Sequence, residues 1–238
     1  MLHKTRGIVL HSVAYSETSL VVKLYTEAFG LQSYMVKGAK GKRSSFRPVF
    51  FQPLNLLDTV VYKNEKSALQ SLKEVRLAHP FRSIPFDIRK SSIALFLNEI
   101  LYKSIREEEP NAPMFDFLWN AIILLDETVE PFLSFHLVFL MKLTRFLGFY
   151  PHEGKGGLFN LKEGRYQTEE SPIEELLNPS LSSSWLALMN CPLEEVGSLE
   201  MTSTQRNAIL VQLLAYYRHH LPGMREIRSH EVLHTVLS

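Results

Sequence analysis

Residues 20–36 read LVVKLYTEAFGLQSYMV, and this stretch decides the fold of the N-terminal part of the chain. In residues 20–25, Leu20, Val22 and Leu24 alternate with the three residues between and after them. Gly30 interrupts this pattern, and residues 31–36 form a second alternating run. A period of two is typical of β-strands, whose successive side chains point to opposite faces of a sheet. The stretch therefore predicts two short strands separated by a turn.

More short strands are predicted on either side of this pair. Lys4 and Arg6 open a first strand, and a further pair of strands is predicted within residues 46–62. Four or five short strands in about 70 residues, with few helical signals, favour a small closed barrel. An OB-fold and an SH3-like barrel both satisfy this pattern, and the pattern alone does not distinguish them.

The periodicity becomes helical from about Asp87 onward. A first helix is predicted to end before Pro110, and a second to begin after Pro113. A third, within residues 131–148, is apolar on nearly every face, which predicts a central place in a helical core. Helical spacing returns at residues 202–221, and a short last helix is predicted near residues 228–233.

A glycine-rich stretch interrupts these helices between Gly148 and Pro172. Two short candidate strands, residues 158–161 and 165–168, predict a β-hairpin inserted into the helical part. The predicted fold is therefore α+β. We predict a β-barrel domain at residues 1–78 and a helical domain with a hairpin at about residues 150–171 over residues 79–238.

The net charge of +1 conceals two parts of opposite sign. Residues 1–76 contain 12 Lys or Arg and 5 Asp or Glu, a net charge of +7. Residues 77–238 contain 14 and 20, a net charge of −6. Such a division indicates a basic module that meets a polyanion and an acidic body that does not. Charge alone equally allows two ordinary solvated surfaces.

Composition and motifs exclude several classes of protein. Hydrophobic residues at 45% and charged residues at 21% are typical of a folded globular chain. Cys191 is the only cysteine, which excludes an internal disulfide and fits a reducing compartment. The N-terminal residues lack the apolar core of a signal peptide, so we expect a cytoplasmic protein. No phosphate loop, nucleophile elbow, zinc helix or dinucleotide fingerprint occurs, so the motifs give no positive evidence for an enzyme. A hydrolase or transferase without a familiar motif stays open as an alternative.

Evidence for nucleic-acid binding comes from the basic loop, residues 37–47, which contains five Lys or Arg and no acidic residue. This loop defines the predicted nucleic-acid interface. Lysine and arginine side chains displace counterions from phosphates, and Gly38 and Gly41 allow the backbone to approach a strand closely. Aromatic rings on the same strands could stack on bases, although alternating aromatics usually form the core of a barrel. The predicted DNA-binding residues are Lys4, Arg6, Tyr25, Tyr34, Lys37, Lys40, Lys42, Arg43 and Arg47.

The order and spacing of several stretches resemble the bacterial recombination mediator family RecO. These stretches are residues 4–10 (KTRGIVL), 15–26 (YSETSLVVKLYT), 36–40 (VKGAK), 147–151 (LGFYP) and 228–233 (RSHEVL). Each is weak alone, but they follow one another over nearly the whole chain. The resemblance implies an N-terminal OB-fold, a helical body and a role in recombinational DNA repair.

The resemblance also implies activities and partners. RecO-like proteins are not enzymes; they bind single- and double-stranded DNA and anneal complementary strands. They associate with RecR and with the C-terminal tail of single-strand-binding protein, and they help to load the recombinase RecA. The windows around Lys4 and from Lys37 to Arg47 fall where the family places its DNA-contacting surface.

One feature of the family is missing from the sequence. Many RecO proteins carry a four-cysteine zinc finger in the stretch that matches residues 149–171, and this chain has no cysteine there. Structural zinc needs four Cys or His ligands, so zinc is not carried over and no cofactor is expected. We expect the hairpin to survive without metal, held by Leu158, Phe159, Leu161 and Tyr166.

Two predictions concern protein partners. Lys142, Arg145 and Arg218 lie on apolar helices and could flank a groove for the acidic, aromatic tail of single-strand-binding protein. The competing interpretation is that they are solvent-facing cations at helix ends. The alternative function of the whole chain is a scaffold whose basic barrel binds an acidic protein rather than nucleic acid, and competition with a single strand would distinguish the two.

Overall fold

A computed structural model describes residues 1–39, 46–129, 131–153, 157–168, 175–224 and 226–237. The chain divides into two compact units, Met1–Glu127 and Thr128–Ser238. The predicted α+β class, an OB-fold barrel followed by helices with an inserted hairpin, is confirmed. Among the described residues, no helix combines the length and the apolarity needed to cross a bilayer.

The N-terminal unit contains five strands and two helices. The strands are β1 (Leu2–Ala14), β2 (Leu20–Thr26), β3 (Gly30–Val36), β4 (Leu56–Tyr62) and β5 (Leu69–His79), and the helices are α1 (Ile88–Ser104) and α2 (Ala112–Glu127). The C-terminal unit contains helices α3 (Phe135–Phe146), α4 (Pro179–Asn190), α5 (Ser203–His220) and α6 (Ser229–Leu237), with strands β6 (Leu158–Asn160) and β7 (Arg165–Gln167).

The five N-terminal strands close into a barrel in the order β1-β2-β3-β5-β4. Only the β3–β5 pair is parallel, and it closes the sheet. This five-stranded closure is the OB-fold arrangement, which the strand pattern alone had not distinguished from an SH3-like barrel. The interior is apolar, with Val22, Leu24 and Leu57 fully buried.

The segment before β4 differs from the prediction of two strands within residues 46–62. Pro48–Phe51 forms a single 3-10 turn, and only Leu56–Tyr62 is a strand. Proline has no N–H to give to a sheet ladder and favours the first turn of a helix, which explains why the chain turns at Pro48.

Helices α1 and α2 cover one side of the barrel. Ile8 and Leu10 of β1 are buried although they point away from the barrel interior. The Asn98 side chain of α1 donates a hydrogen bond to the Leu10 carbonyl at 3.2 Å, and Tyr25 of β2 contacts Phe115 of α2, with ring centroids 6.1 Å apart. Within the N-terminal unit, α1 and α2 therefore close the outer face formed by β1 and β2. On the face formed by the first half of β1 with β4, β5 and β3, side chains such as Lys4, Tyr62 and Lys73 are exposed, and this face is called the open face.

The buried carboxylate of Asp126 joins the barrel to both helices. It accepts hydrogen bonds from the backbone N–H groups of Arg82, Ser83 and Ile84, each at 2.9 Å at its shortest. His79 Nε2 lies 3.2 Å from the same carboxylate. Burial would raise the pKa of Asp126, but the three backbone donors and His79 outweigh it and hold that pKa below its ordinary value.

Lys90 extends this junction to α1. Its ammonium group donates to the Asp126 carbonyl at 2.9 Å and to the Ser83 hydroxyl at 2.6 Å, and the residue is only 3% exposed. Burial lowers the pKa of Lys90. The end of β5, the start of α1 and the end of α2 therefore meet in one polar cluster whose members are hydrogen-bonded to each other.

A second junction connects the β2–β3 turn with the loop between α1 and α2. Gly30 has a φ of +60°, and a Cβ at this position would overlap the backbone of Glu109. The Leu31 N–H donates to the Glu107 carbonyl at 3.0 Å. Only glycine gives both the left-handed backbone and the space for this close approach.

In the C-terminal unit, α3 is buried on nearly all sides, as the sequence predicts. Helix α4 was not predicted. Its start carries two local signals: the Asn178 side chain accepts a hydrogen bond from the Leu181 N–H at 2.9 Å, and Pro179 occupies the first helical position.

The predicted hairpin is present as β6 and β7, and aromatic rings support it. The Phe159 ring stacks on Trp185, with centroids 4.6 Å apart, and contacts Tyr166 and Tyr216 at 5.2 and 5.8 Å. Phe159, Leu161 and Tyr166 are buried, as expected for residues that hold the hairpin, and Leu158 is half-buried.

One backbone and two side-chain hydrogen bonds connect the hairpin to the segment before α4 and to helices α4 and α5. The Leu177 N–H donates to the Phe159 carbonyl at 2.8 Å, and His220 Nε2 lies 2.9 Å from the Leu161 carbonyl. The Tyr166 hydroxyl donates to the Ser182 carbonyl at 2.7 Å. Rings and carbonyl groups thus surround β6 and β7 in this unit.

The side chains of this region do not fit a structural zinc site. In the described part of the chain, no three His, Cys, Asp or Glu side chains come close enough to hold a metal ion. The positions nearest the hairpin core are taken by the rings of Phe159, Tyr166 and Trp185, which are not zinc ligands. That the protein works without zinc stays a prediction.

Replacing Asp126 by Asn should lower the free energy of unfolding by about 2 to 4 kcal/mol, because an amide nitrogen would face backbone donors in a buried place. Urea unfolding at neutral pH measures the change. Asp58→Asn is the control, since Asp58 forms an exposed ion pair with Arg76 and should cost less than about 1 kcal/mol.

The pH dependence of the Asp126→Asn effect follows from the lowered pKa. The carboxylate stabilises the fold fully above its unfolded pKa, near the ordinary value of 3.8, and this contribution is lost as the pH falls through the lower folded pKa. The difference between wild type and Asp126→Asn should therefore shrink below about pH 4. A stability difference between wild type and Asp126→Asn that stays constant down to about pH 2 would contradict the role assigned to the charge of Asp126.

Phe159→Ala should destabilise the C-terminal unit by about 3 to 5 kcal/mol, because it removes a fully buried ring from an aromatic cluster. Thermal unfolding measures the loss, and Phe86→Ala, at a residue 84% exposed, should change the melting temperature little.

A strong chelator should leave the melting temperature of the wild type unchanged. A drop on chelation, or stoichiometric zinc in the purified protein, would contradict support by rings alone.

Candidate nucleic-acid interface

The open outer face of the barrel carries three rows of side chains that run across β1, β4 and β5, and two of the rows continue to β3 or to its end. Strand alternation places them: Thr5, Thr59 and Val61 point inward, so their neighbours point outward. The rows are named here by their dominant residues as the arginine row, the lysine row and the apolar row.

The arginine row consists of Arg6, Asp58 and Arg76, which are directly paired across β1, β4 and β5. Arg6 binds both carboxylate oxygens of Glu27, at 2.9 and 2.8 Å, and Asp116 at 3.1 Å. The hydrogen bond to Glu27 raises the pKa of Arg6 and lowers that of Glu27.

Aromatic rings and a second ion pair complete the arginine row. The Arg6 guanidinium also lies over the rings of Phe115 and Trp119, about 5 Å from each centroid. Arg76 pairs with Asp58 at 3.0 Å. The charges of this row are therefore largely balanced within the protein, and Arg6, a predicted DNA contact, holds β1 against β2 and α2.

The lysine row lies two residues further along the strands. Lys4 is paired with Val60, and Val60 with Glu74. Lys73 precedes Glu74 at a bulge in β5, where the register with β4 shifts. Lys37 directly follows β3. Met35 pairs with Ser71, and two residues further along the same parallel register Lys37 would lie opposite Lys73.

The three lysines of this row are solvent-exposed. Among the described residues, none of Lys4, Lys37 and Lys73 forms an ion pair within 4.0 Å. Glu74 is the acidic member of the row and is exposed as well. A cleft of about 530 Å³ lies along the arginine and lysine rows, and its walls include Lys4, Glu27 and Glu74.

The predicted basic loop begins where the lysine row ends. Lys37 is followed by Gly38, whose φ of +72° turns the chain away from β3. Lys40, Lys42 and Arg43 lie outside the described residues. Arg47 is exposed at the start of the 3-10 turn, next to Phe46, which packs on the barrel core.

Tyr25 and Tyr34, which were predicted to stack on bases, are buried. Tyr34 points into the barrel, is 0% exposed, and belongs to the core with Val22 and Val36. Tyr25 points outward but is covered by α2 and is 1% exposed. Burial raises the pKa of each hydroxyl to about 12. Since no base can reach their ring faces in this fold, we remove both residues from the candidate interface.

The apolar row lies beyond the lysine row and was not predicted. Leu2 pairs with Tyr62, Tyr62 with Ser71, and Ser71 with Met35, so these four residues cross four strands. Leu2 is 59% and Tyr62 45% exposed. The strand alternation of residues 56–62 places Tyr62 on the outer face, so this sequence signal was sufficient to find it.

Three cations in the C-terminal unit were predicted to bind a partner, and each makes different contacts: Lys142, Arg145 and Arg218. The half-buried Lys142 ammonium donates to the Met189 carbonyl at 2.8 Å, and burial lowers its pKa. The Arg145 guanidinium lies 4.5 Å from the centroid of the Tyr150 ring. Arg218 is exposed and lines a separate cavity of about 240 Å³ with the apolar side chains of Val211, Leu214, Met224 and Ile227.

Comparison with known proteins agrees with the predicted fold and identifies the family. Residues 1–81 match the family model "Recombination protein O N terminal", and residues 85–229 match "Recombination protein O C terminal". The chain is 38% identical to the DNA repair protein RecO of Phocaeicola vulgatus, over 100% of both chains, and 38% identical to that of Bacteroides fragilis, over 98% of both. It is 36% identical to that of Flavobacterium psychrophilum over 99% of both chains. The resemblance seen in the sequence is confirmed, and the chain belongs to the RecO family of DNA repair proteins.

Proposed function

We propose that this chain binds single- and double-stranded DNA through the lysine row and the basic loop that continues it. The observation that supports this most directly is that Lys4 on β1, Lys73 on β5 and Lys37 after β3 are exposed in the +7 barrel and form no ion pair with the other described residues. Lysine side chains without an ion-pair partner displace counterions from phosphates without first breaking a contact inside the protein. Arg6 and Arg76, which are ion-paired, support the strands in this proposal and do not contribute the main phosphate contacts.

Annealing follows from the same face. Two complementary strands repel each other through their phosphates, and a cationic surface that holds both reduces this repulsion. Contacts to phosphates carry no sequence information, which suits a protein that must act on any sequence. We propose that the chain acts as a mediator and not as an enzyme.

The mediator role includes protein partners. As a member of the RecO family, the chain is proposed to work with RecR and the tail of single-strand-binding protein, and so to assist RecA loading on coated DNA. Such a protein acts where the chromosome is, and we place it in the cytoplasm at the nucleoid.

Replacing Lys4, Lys37 and Lys73 together by Gln should weaken binding to single strands of any sequence. The plot of log affinity against log salt should flatten by about 2, because each lost phosphate contact removes roughly 0.7 from the slope. Fluorescence anisotropy with labelled oligonucleotides at several salt concentrations measures both effects. Lys162→Gln is the control, since Lys162 is paired with Glu175 in the C-terminal unit.

An unchanged slope in the triple variant would contradict the proposed interface. Competition separates the proposal from the scaffold alternative: an unlabelled single strand should displace the labelled one, whereas polyglutamate at equal charge should not. Tight binding of polyglutamate with no binding of DNA would support the acidic-protein scaffold instead.

For the tail of single-strand-binding protein, we propose the cavity beside Arg218, because it combines apolar walls with an exposed guanidinium. Arg218→Gln should weaken binding of an acidic, aromatic tail peptide about tenfold, or ~1.4 kcal/mol. Lys142→Gln should have a smaller effect, because its ammonium already binds the Met189 carbonyl. Peptide anisotropy compares the two variants, and a larger loss for Lys142→Gln would place the peptide elsewhere.

A further inference from the structure

Tyr62 presents an aromatic ring on the same outer face as the lysine row. It is the last residue of β4 and points outward, because Val61 before it is in the barrel core. Its residue surface is 45% exposed. In the described part of the chain, the Tyr62 ring makes no ring contact, cation contact or hydrogen bond that would occupy its faces.

The surroundings of Tyr62 are apolar along its own row and basic in the next. Leu2 and Ser71 flank it on β1 and β5, and Met35 completes the row on β3. Lys4 and Lys73 each lie two residues along from these flanking positions, a distance of roughly 7 Å. From β1 to β3 the lysine row spans three strand spacings, or roughly 14 Å.

We propose that Tyr62 stacks on an unpaired base of a single strand whose phosphates lie along the lysine row. This inference rests on the proposed DNA binding and adds the group that recognises single strands. An aromatic ring next to a cationic track is the combination that binds unpaired nucleic acid, with stacking worth about 1–3 kcal/mol per base. A duplex hides the faces of its bases within the helical stack, so it would meet the lysines alone.

Charge argues for DNA as the occupant of this face. The lysine row carries three cations, Lys4, Lys37 and Lys73, and one acid, Glu74, whereas ion pairs largely balance the charges of the arginine row. Asp58 is held by Arg76, which leaves Glu74 as the exposed carboxylate facing the phosphates. Glu74→Gln should accordingly tighten the binding of both kinds of DNA.

The first test compares two variants of one residue. Tyr62→Leu should weaken single-strand binding about tenfold, within the range of 5- to 150-fold that stacking energies of about 1–3 kcal/mol give, and leave the salt slope unchanged. It should change duplex binding less than about twofold. Tyr62→Phe, which keeps the ring, should bind as the wild type does. An equal loss for single and double strands, or a loss in Tyr62→Phe as large as in Tyr62→Leu, would overturn the inference.

The second test uses fluorescence. The native tryptophans Trp119 and Trp185 are 7% and 0% exposed, so a tryptophan placed at position 62 would be the exposed reporter. In Tyr62→Trp, saturation with an oligonucleotide of about 16 thymidines should quench this fluorescence strongly, and a duplex should not. Phe86→Trp, at a residue 84% exposed in the segment before α1, is the control and should respond to neither.

The outcomes separate this inference from the proposed function. If the lysine variants weaken salt-dependent DNA binding but Tyr62→Leu leaves single-strand binding unchanged, only the stacking role is overturned. A wild-type protein that binds no DNA would overturn both. Quenching in Tyr62→Trp, with the selective loss in Tyr62→Leu, would support both.

Discussion

Three consecutive backbone N–H groups, those of residues 82, 83 and 84, converge on the carboxylate of Asp126. If these donors and the carboxylate were buried without hydrogen-bond partners, each of them would lower the free energy of unfolding. Together they fix the segment that leaves β5 against the end of α2, and Lys90 adds the start of α1. The position of both helices on the barrel follows from this cluster.

The placement of the helices in turn decides which face of the barrel is open. With α1 and α2 on the outer side of β1 and β2, the outward residues Ile8, Leu10 and Tyr25 become core. The strands that remain uncovered carry the three rows. In the N-terminal unit, therefore, a buried carboxylate far along the sequence determines that Lys4, Lys37 and Lys73 meet solvent.

Local patterns predicted much of the fold but less of the interface. Alternation and helical spacing were sufficient for the barrel, for most helices and for the hairpin. The exposure of a strand residue depends on what covers the sheet, and for Tyr25 the cover comes from Phe115, 90 residues away in sequence. The ion pairs of Arg6 with Glu27 and Asp116 and the alignment of Lys37 with Lys73 likewise arise from long-range pairing that periodicity does not contain. Charge counting shows that the cations are in excess in the barrel, but which of them lie together on one face depends on the strand register.

The docking of the α1–α2 loop on the turn at Gly30 brings three carboxylates to one end of β3 in the N-terminal unit. Glu107, Glu108 and Glu109 are exposed at this end of the barrel, near Glu27. Lys37 lies at the opposite end of β3, roughly 23 Å away. A polyanion that diffuses toward this unit is repelled at one pole and attracted at the other, so it is turned before any contact forms. In the proposed DNA binding, the glycine that permits a close backbone approach thus also favours arrival from the Lys37 end of β3.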